Sequence, residues 1–553
     1  MKAIFAAGLL ALSAPLWATT YYVSNCADGA APACVVGNGA NPGTSPSAPK
    51  QSIAAARDLI NAAQPGDQVL FARGGGWTNA HMTLVASHAT PEQPVVVGAY
   101  APPWCTGTCA SARPVLTEAR PFGNGQPGNN DNALLQLRGG TGGYVFKDLE
   151  LRGGRDETWG IFITERVHDV TIQNLAIRDF SIGVYCGNAN PRVQLLESTI
   201  TGNYEQGTLW GCVDSLIENN TFDNNGYKKI LASDGSVLHG RLHNIYIGLE
   251  SVDGKSLGGN ITVRGNKLTR NALLDGKCDG VSLVVHGAID GLLIENNLLY
   301  EVPDANGSAG CYGIGVNSGS YGSYEAFNNV VIRGNTVVNL PHTAIGCGSC
   351  IAPVIENNVI VQEAAMREFY GIVVPDQDRR FSNARSTGAK IRNNSIYVAR
   401  GVAGTAINLS EYSDNAGSTL EVTNNLIFMA AAVEPGHSCI NVGSLALANF
   451  TAIDNNLCYH QGGDDKGAWS NRNGKTFKTL ADAQKAGFDV HGKSSDPLLA
   501  AVPSQANGWS MKVRAGSPAI DAGHTTYKAR NSYKGYVRTG APDIGAYEYG
   551  PTP

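Results

Sequence analysis

The residues best suited to acid–base work are concentrated in the middle of the chain. Between Gly207 and Tyr300 come Lys228, Lys229, His239, Arg241, His243, Tyr246, Lys277, Asp279 and His286. Crowded cations lower one another's pKa, so a Lys or Arg of the 228–241 group becomes a candidate proton acceptor. His239 and His243 titrate near neutrality and could share that duty, and the Tyr246 phenol could hand a proton to a leaving oxygen. Catalytic roles are therefore expected of Lys228, Lys229, His239, Arg241, His243 and Tyr246. Glu250, Asp253 and Asp275 offer hard oxygen ligands that would let calcium replace a cationic clamp. Asp279, His286, Tyr312, Asn317, Tyr324 and Glu325 follow as expected substrate-binding groups, the aromatic ones by stacking.

Several of these residues have a purely structural alternative. In a strand 243–247, Ile245 and Ile247 point inward with His243 on their side, while Asn244 and Tyr246 point outward. His243 then becomes a buried, hydrogen-bonded structural histidine. Asp279 precedes Gly280 as a turn former would, and the Lys/Arg group has the composition of a solvated loop edge.

What must position these groups is a repeated phrase. Ser215-Leu-Ile-Glu-Asn-Asn-Thr-Phe222, Ile261-Thr-Val-Arg-Gly-Asn-Lys-Leu268 and Leu292-Leu-Ile-Glu-Asn-Asn-Leu-Leu299 are three of ten copies, which begin at Val170 and end at Cys458. Successive second-Asn positions from Asn266 to Asn456 lie 31, 38, 23, 36, 31 and 31 residues apart. A base period near 23 with insertions describes a solenoid whose coils carry loops of unequal length. The Asn pair suits a left-handed corner between two short strands, and stacked Asn side chains can hydrogen-bond along the column. The pattern lacks the Leu-x-x-Leu-x-Leu of a horseshoe and the four strands per unit of a propeller. The expected fold is all-β, a right-handed parallel β-helix with long loops walling a groove. A helix predicted over Ile53–Ala63 would cap its open end. Residues 19–132 then form the cap and first coils, 133–460 the regular coils, and 461–553 the last coils and closing segment.

Charge is sparse at 16%, the net charge is −5, and no Lys/Arg run stands out, which argues against nucleic acid as a partner. Lys2, the apolar run Ala3–Leu12 and Ala18 read as a signal peptide over residues 1–18, implying a secreted or periplasmic protein. No segment is long enough to span a membrane. The chain is expected to be a monomer. Twelve cysteines suit an oxidising compartment and fall in near-neighbour pairs. These are Cys26/Cys34, Cys105/Cys109, Cys186/Cys212, Cys278/Cys311, Cys347/Cys350 and Cys439/Cys458; zinc is the competing reading, and the spacings do not favour it.

Tyr21-Tyr-Val-Ser24, Asn41-Pro-Gly-Thr44, Pro65-Gly-Asp67 and Arg73-Gly-Gly75 resemble the opening of secreted bacterial β-helix proteins of the pectate-lyase-like superfamily. Ser517-Pro-Ala-Ile-Asp-Ala-Gly523 and Asp543-Ile-Gly-Ala-Tyr-Glu-Tyr549 resemble that group's closing segment. The resemblance implies an acidic, uronate-containing polysaccharide as partner and, foremost, a lyase acting by β-elimination. A glycoside hydrolase with paired carboxylates, a uronate epimerase and a non-catalytic glycan-binding surface protein are the alternatives. Lys277-Cys-Asp-Gly-Val-Ser-Leu-Val-Val-His-Gly287 looks like a polygalacturonase phrase, but it has His286 where that family has Lys, which weakens the hydrolase reading.

Overall fold

The computed structural model describes residues 18–550, apart from 87–90, 120–132, 155–157, 188, 228–241, 251–257, 304–309, 317–323, 364–367, 376–382, 400–403, 411, 413–418, 431–437, 444, 462–468, 471–475, 478 and 534. Each copy of the phrase builds one corner of a coil. The residues before its Asn pair form a strand on a first face, those after it a short strand on a second face, and the chain then crosses a third face. One coil runs His168–Gln173, Ala176–Arg178 and Ile182–Cys186, and the next lies parallel upon it with Val170 beside Val193, Ile177 beside Ile200 and Val184 beside Thr208. The second face is a parallel sheet of thirteen described strands. Inward side chains stack so that Ile161, Val184, Thr208, Ile245, Leu283, Ile314 and Ile345 form one fully buried file, apolar but for Thr208. The molecule is a right-handed parallel β-helix, as the periodicity requires.

The helix at its open end spans Ile53–Ala62, capped by Ser52, whose hydroxyl accepts from the Ala55 amide. Ala56 and Ile60 are fully buried against the first coils, which closes that end of the core.

The corner shows why Asn is doubled. The first position is left-handed in Asn219, Asn296, Asn357, Asn393, Asn424 and Asn455, and glycine takes it at Gly265 and Gly334. The second builds a buried ladder, Asn220–Asn266–Asn297–Asn335–Asn358–Asn394–Asn425–Asn456. Each Asn donates its amide N–H and its Nδ2 to the Oδ1 of the next, over 2.9–3.1 Å. The ladder ends on Asp489, whose Oδ1 accepts both donors of Asn456. Asp489 is 1% exposed, and burial pushes its carboxyl up to about 8. The folded chain thus holds this proton to about pH 8, whereas the unfolded chain releases it near the ordinary 3.8. The native state binds more protons across that window, so this contribution is complete below the window and declines as pH rises through it. Asp489→Asn is expected to flatten the fall of Tm over that range, which melting at a series of pH values would check.

All six expected cysteine pairs are disulfides, with Cα–Cα distances of 5.1–6.1 Å. The closing segment does not add regular coils. It doubles back along the outside of the second face, with Ala522 O accepting from Asn455, Asn393 Oδ1 from the Ala529 amide, and Asn531 O from Asn357. Trp509, Met511, Ile544 and Ala546 bury themselves there against Val338, Val361, Leu426 and Phe428. Arg538, whose side chain is 0% exposed, pins this strap by donating to Asn357 Oδ1 and Gly545 O and pairing with Glu548. The Asp543-Ile-Gly-Ala-Tyr-Glu-Tyr549 motif is therefore a fastening.

Candidate active site

The third face gathers most of the candidate groups that the structure describes. Its middle strands are Trp159–Ile163, Ile182–Cys186, Gln206–Trp210, His243–Leu249, Gly280–Glu295, Cys311–Val316, Thr343–Cys347 and Phe369–Val373, in the order in which they stack. The register puts Phe162, Tyr185, Leu209, Tyr246, Val284, Gly315, Gly346 and Val373 in one outward file. Bulk in this file ends abruptly. Trp159, Phe162 and Tyr185 form a cluster with ring centroids 4.7–5.2 Å apart, and Tyr246 closes the bulky part; beyond it the floor drops to Val284, Gly315 and Gly346.

Two walls flank that low floor. On one side stands His286, immediately before the sharp bend at Gly287, where a β-carbon would come within 1.7 Å of Leu249 O. Glu325, 1% exposed, accepts from His286 Nδ1 over 2.9 Å and from the Gly287 amide over 3.1 Å. Asn383 Oδ1 in turn accepts from the Glu325 amide, which fixes the carboxylate's backbone. The Tyr246 ring lies 5.6 Å from the His286 imidazole.

The other wall is Tyr312, His342 and Tyr370. The Tyr312 and His342 rings are 4.2 Å apart, and the phenol oxygen shares a hydrogen bond with His342 Nε2 over 3.3 Å. Burial holds His342 below the ordinary imidazole range against the opposing pull of Glu368, which is consistent with a neutral acceptor. Burial, then Glu368, raises the Tyr312 phenol. Tyr370 donates to Glu368 Oε1 over 2.8 Å.

The structure therefore gathers His243, Tyr246, His286, Tyr312 and Glu325 on one face. Two expectations about orientation change. Asn244 is not outward, because its side chain turns into a second buried ladder, Asn203–Asn225–Asn244–Asn271, which ends on Glu301. His243 is not on the core side. Asn244 and Ile245 both face inward, which breaks the alternation and leaves His243 beside Tyr246 at 5.3 Å. It is nonetheless fully buried and donates from Nδ1 to Val281 O over 2.8 Å, as a structural histidine would.

Asp279 lies half-buried just after a tight hairpin whose turn is Asp275-Gly276, and its amide bonds to Ala272 O. Asp275 and Glu250 are exposed. Tyr324 is half-buried beside Glu325. Lys228, Lys229, His239, Arg241, Asp253 and Asn317 lie outside the described residues. Among the described residues, the cluster of metal-donor groups is Cys439, Cys458 and His460, two of which form a disulfide, so no oxygen-rich calcium set assembles there. Trp159, Tyr185, His342, Glu368 and Tyr370 are missing from the sequence-based set.

Residues 139–299 match the sequence profile of the right handed beta helix region. No curated protein matches the chain. Among solved structures it is similar to the pectate lyase Pel9A, at 13% identity over 96% of this chain and 98% of that one, with a TM-score of 0.41. It is also similar to a PL6 family polysaccharide lyase from Pseudopedobacter saltans, at 12% identity over 84% and 96%, TM-score 0.39. A third is PfbA, a surface adhesin of Streptococcus pneumoniae, at 12% over 69% and 88%, TM-score 0.40. These values describe a shared architecture only, and the fold assignment rests on the strand pairings above.

Proposed function

We propose that this parallel β-helix is an exported polysaccharide lyase that cleaves a uronate-containing chain by β-elimination. The observation that carries the reading is the His286–Glu325 pair at the edge of the third face, beside Tyr246. A buried carboxylate on Nδ1 fixes the tautomer with Nε2 basic, which is the arrangement for removing a weakly acidic proton. In the proposed step Nε2 takes the proton at C5 of the uronate. The C5–H electron pair forms the C4–C5 double bond, the C4–O bond breaks, and the leaving oxygen receives a proton from Tyr246. Glu325 steadies the imidazolium that forms. The C5 proton becomes acidic enough only if a cation holds the neighbouring carboxylate, and Lys228, Lys229 and Arg241 are the proposed source. They occur in the segment that leads into the His243 strand. Six disulfides support export to an oxidising compartment.

The test is incubation with polygalacturonate, alginate and a glycosaminoglycan panel, following the ultraviolet absorbance of unsaturated uronate ends. Elimination produces absorbance in step with new chain ends. New reducing ends without absorbance would replace this reading with hydrolysis, and binding without products would replace it with an adhesin.

A further inference from the structure

The closing strap is fastened to four consecutive corners through the first Asn of each pair. Asn455 donates to Ala522 O, Asn424 accepts from the His524 amide, Asn393 accepts from the Ala529 amide, and Asn357 donates to Asn531 O. The next two corners lack this fastening. Gly334 has no side chain to offer, and Asn296 is exposed and makes no bond to the strap among the described residues. Over these two corners the strap turns back on itself. The Ser532 amide donates to Tyr536 O and the Gly535 amide to Ser532 O, each over 2.8 Å. Tyr533 anchors the hairpin, its hydroxyl 2.6 Å from Thr336 Oγ1 and its ring 5.1 Å from that of Tyr547.

Between the hairpin and the corners Glu295-Asn296, Arg333-Gly334 and Glu356-Asn357 lies a cavity of about 540 Å³. That volume is within the range of small-molecule sites, about 300–1,000 Å³. The carboxylates of its floor are already answered: Arg333 pairs with Glu295 over 2.8 Å, and Arg392 with Glu356 over 2.9 Å. Arg530, on the hairpin side, is exposed and joins no ion pair among the described residues, so the cavity carries one uncompensated positive charge. A guanidinium in this state offers paired N–H donors that match a carboxylate. Asn296 and Ser532 line the same space with groups that suit sugar hydroxyls.

We propose that the cavity under the strap hairpin is a second, non-catalytic carbohydrate site that holds a short acidic oligosaccharide, with a uronate carboxylate on Arg530. It lies at the corner between the first and second faces, away from the His286–Glu325 pair on the third. A polymer strand held there tethers the protein without entering the catalytic site. The inference rests on the lyase reading for the identity of the sugar, but its own claim concerns binding at the hairpin.

The test is hydrogen exchange of the full chain with and without trigalacturonate or trimannuronate, read on residues 530–537. One of the trimers should slow exchange there, because occupancy opposes local opening of the hairpin. Arg530→Glu, with its melting curve unchanged, should raise the half-saturating trimer concentration about tenfold or more, which corresponds to about 1.4 kcal/mol. Arg530→Lys keeps the charge and should retain the protection, and so should His286→Ala. Unaltered exchange with both trimers, or full protection in folded Arg530→Glu, overturns the inference. Equal protection by inorganic phosphate overturns the sugar site in favour of a general anion site, and protection lost in His286→Ala would place the trimer on the third face. Hairpin protection from a wild-type protein that forms no unsaturated ends upholds the cavity and rejects the lyase reading. Unsaturated ends without hairpin protection uphold the lyase reading and reject the cavity.

Discussion

His286→Ala is expected to lower kcat about 10³-fold, within the range a positioned general base supplies, while leaving polymer affinity near the wild-type value. The imidazole stands against the Tyr246 ring and is held through Nδ1, so its removal takes away the base without opening the core. Glu325→Gln separates orientation from charge. The Gln oxygen can still accept from His286 and from the Gly287 amide, but it no longer offsets the imidazolium formed in the reaction. A fall of about 10²-fold in kcat is expected for it, again with affinity preserved. Steady-state kinetics with a melting curve for each variant checks both. Full turnover in folded His286→Ala would move the base elsewhere on the face.

The second large effect is on stability. Asn335 is fully buried and makes five ladder contacts. Its amide and Nδ2 donate to Asn358 Oδ1, Nδ2 also donates to Ile294 O, and Oδ1 accepts the amide and Nδ2 of Asn297. Asn335→Ala strands two donors of Asn297 and the Ile294 carbonyl inside the buried ladder. At about 1–3 kcal/mol for each buried polar group left unmade, the expected loss is about 3–5 kcal/mol. Urea unfolding should show it as a lower midpoint. Because coils stabilise mainly their neighbours, faster hydrogen exchange should centre on the strands flanking residues 297, 335 and 358. An exposed Asn such as Asn329 offers the contrast: Asn329→Ala loses one bond to Asp290 and the tolerance of Asn for its left-handed backbone, and should cost about 1–2 kcal/mol.

The Asn corner was readable from sequence because its cause is local. A left-handed residue followed by a ladder residue needs two specific side chains at fixed spacing, and every coil repeats the demand. The third face was harder, although it has its own phrase. Trp159-Gly-Ile-Phe-Ile163, Ile182-Gly-Val-Tyr-Cys186, His243-Asn-Ile-Tyr-Ile247, Tyr312-Gly-Ile-Gly-Val316 and Thr343-Ala-Ile-Gly-Cys347 align position for position. Its second residue is small or joins a ladder because it turns inward beside the third, so simple alternation assigns His243 to the wrong side. Aligning the fourth residue of each copy would have exposed the drop from Tyr246 to Gly315 and Gly346, and the first would have marked Trp159 and Tyr370. The pairing of His286 with Glu325 joins residues 39 apart in sequence across an irregular connection, and no spacing rule predicts such a contact. His286 and Glu325 were each singled out as expected binding groups; their contact with one another was not foreseen.

The most direct test of the central claim is the mass of the products formed from a defined oligouronate in heavy-oxygen water. Elimination adds no water, so the account predicts two fragments whose masses sum to that of the substrate, neither carrying heavy oxygen, and formed about 10³-fold more slowly by His286→Ala. A fragment that has gained one heavy oxygen, with masses summing to substrate plus water, would contradict it.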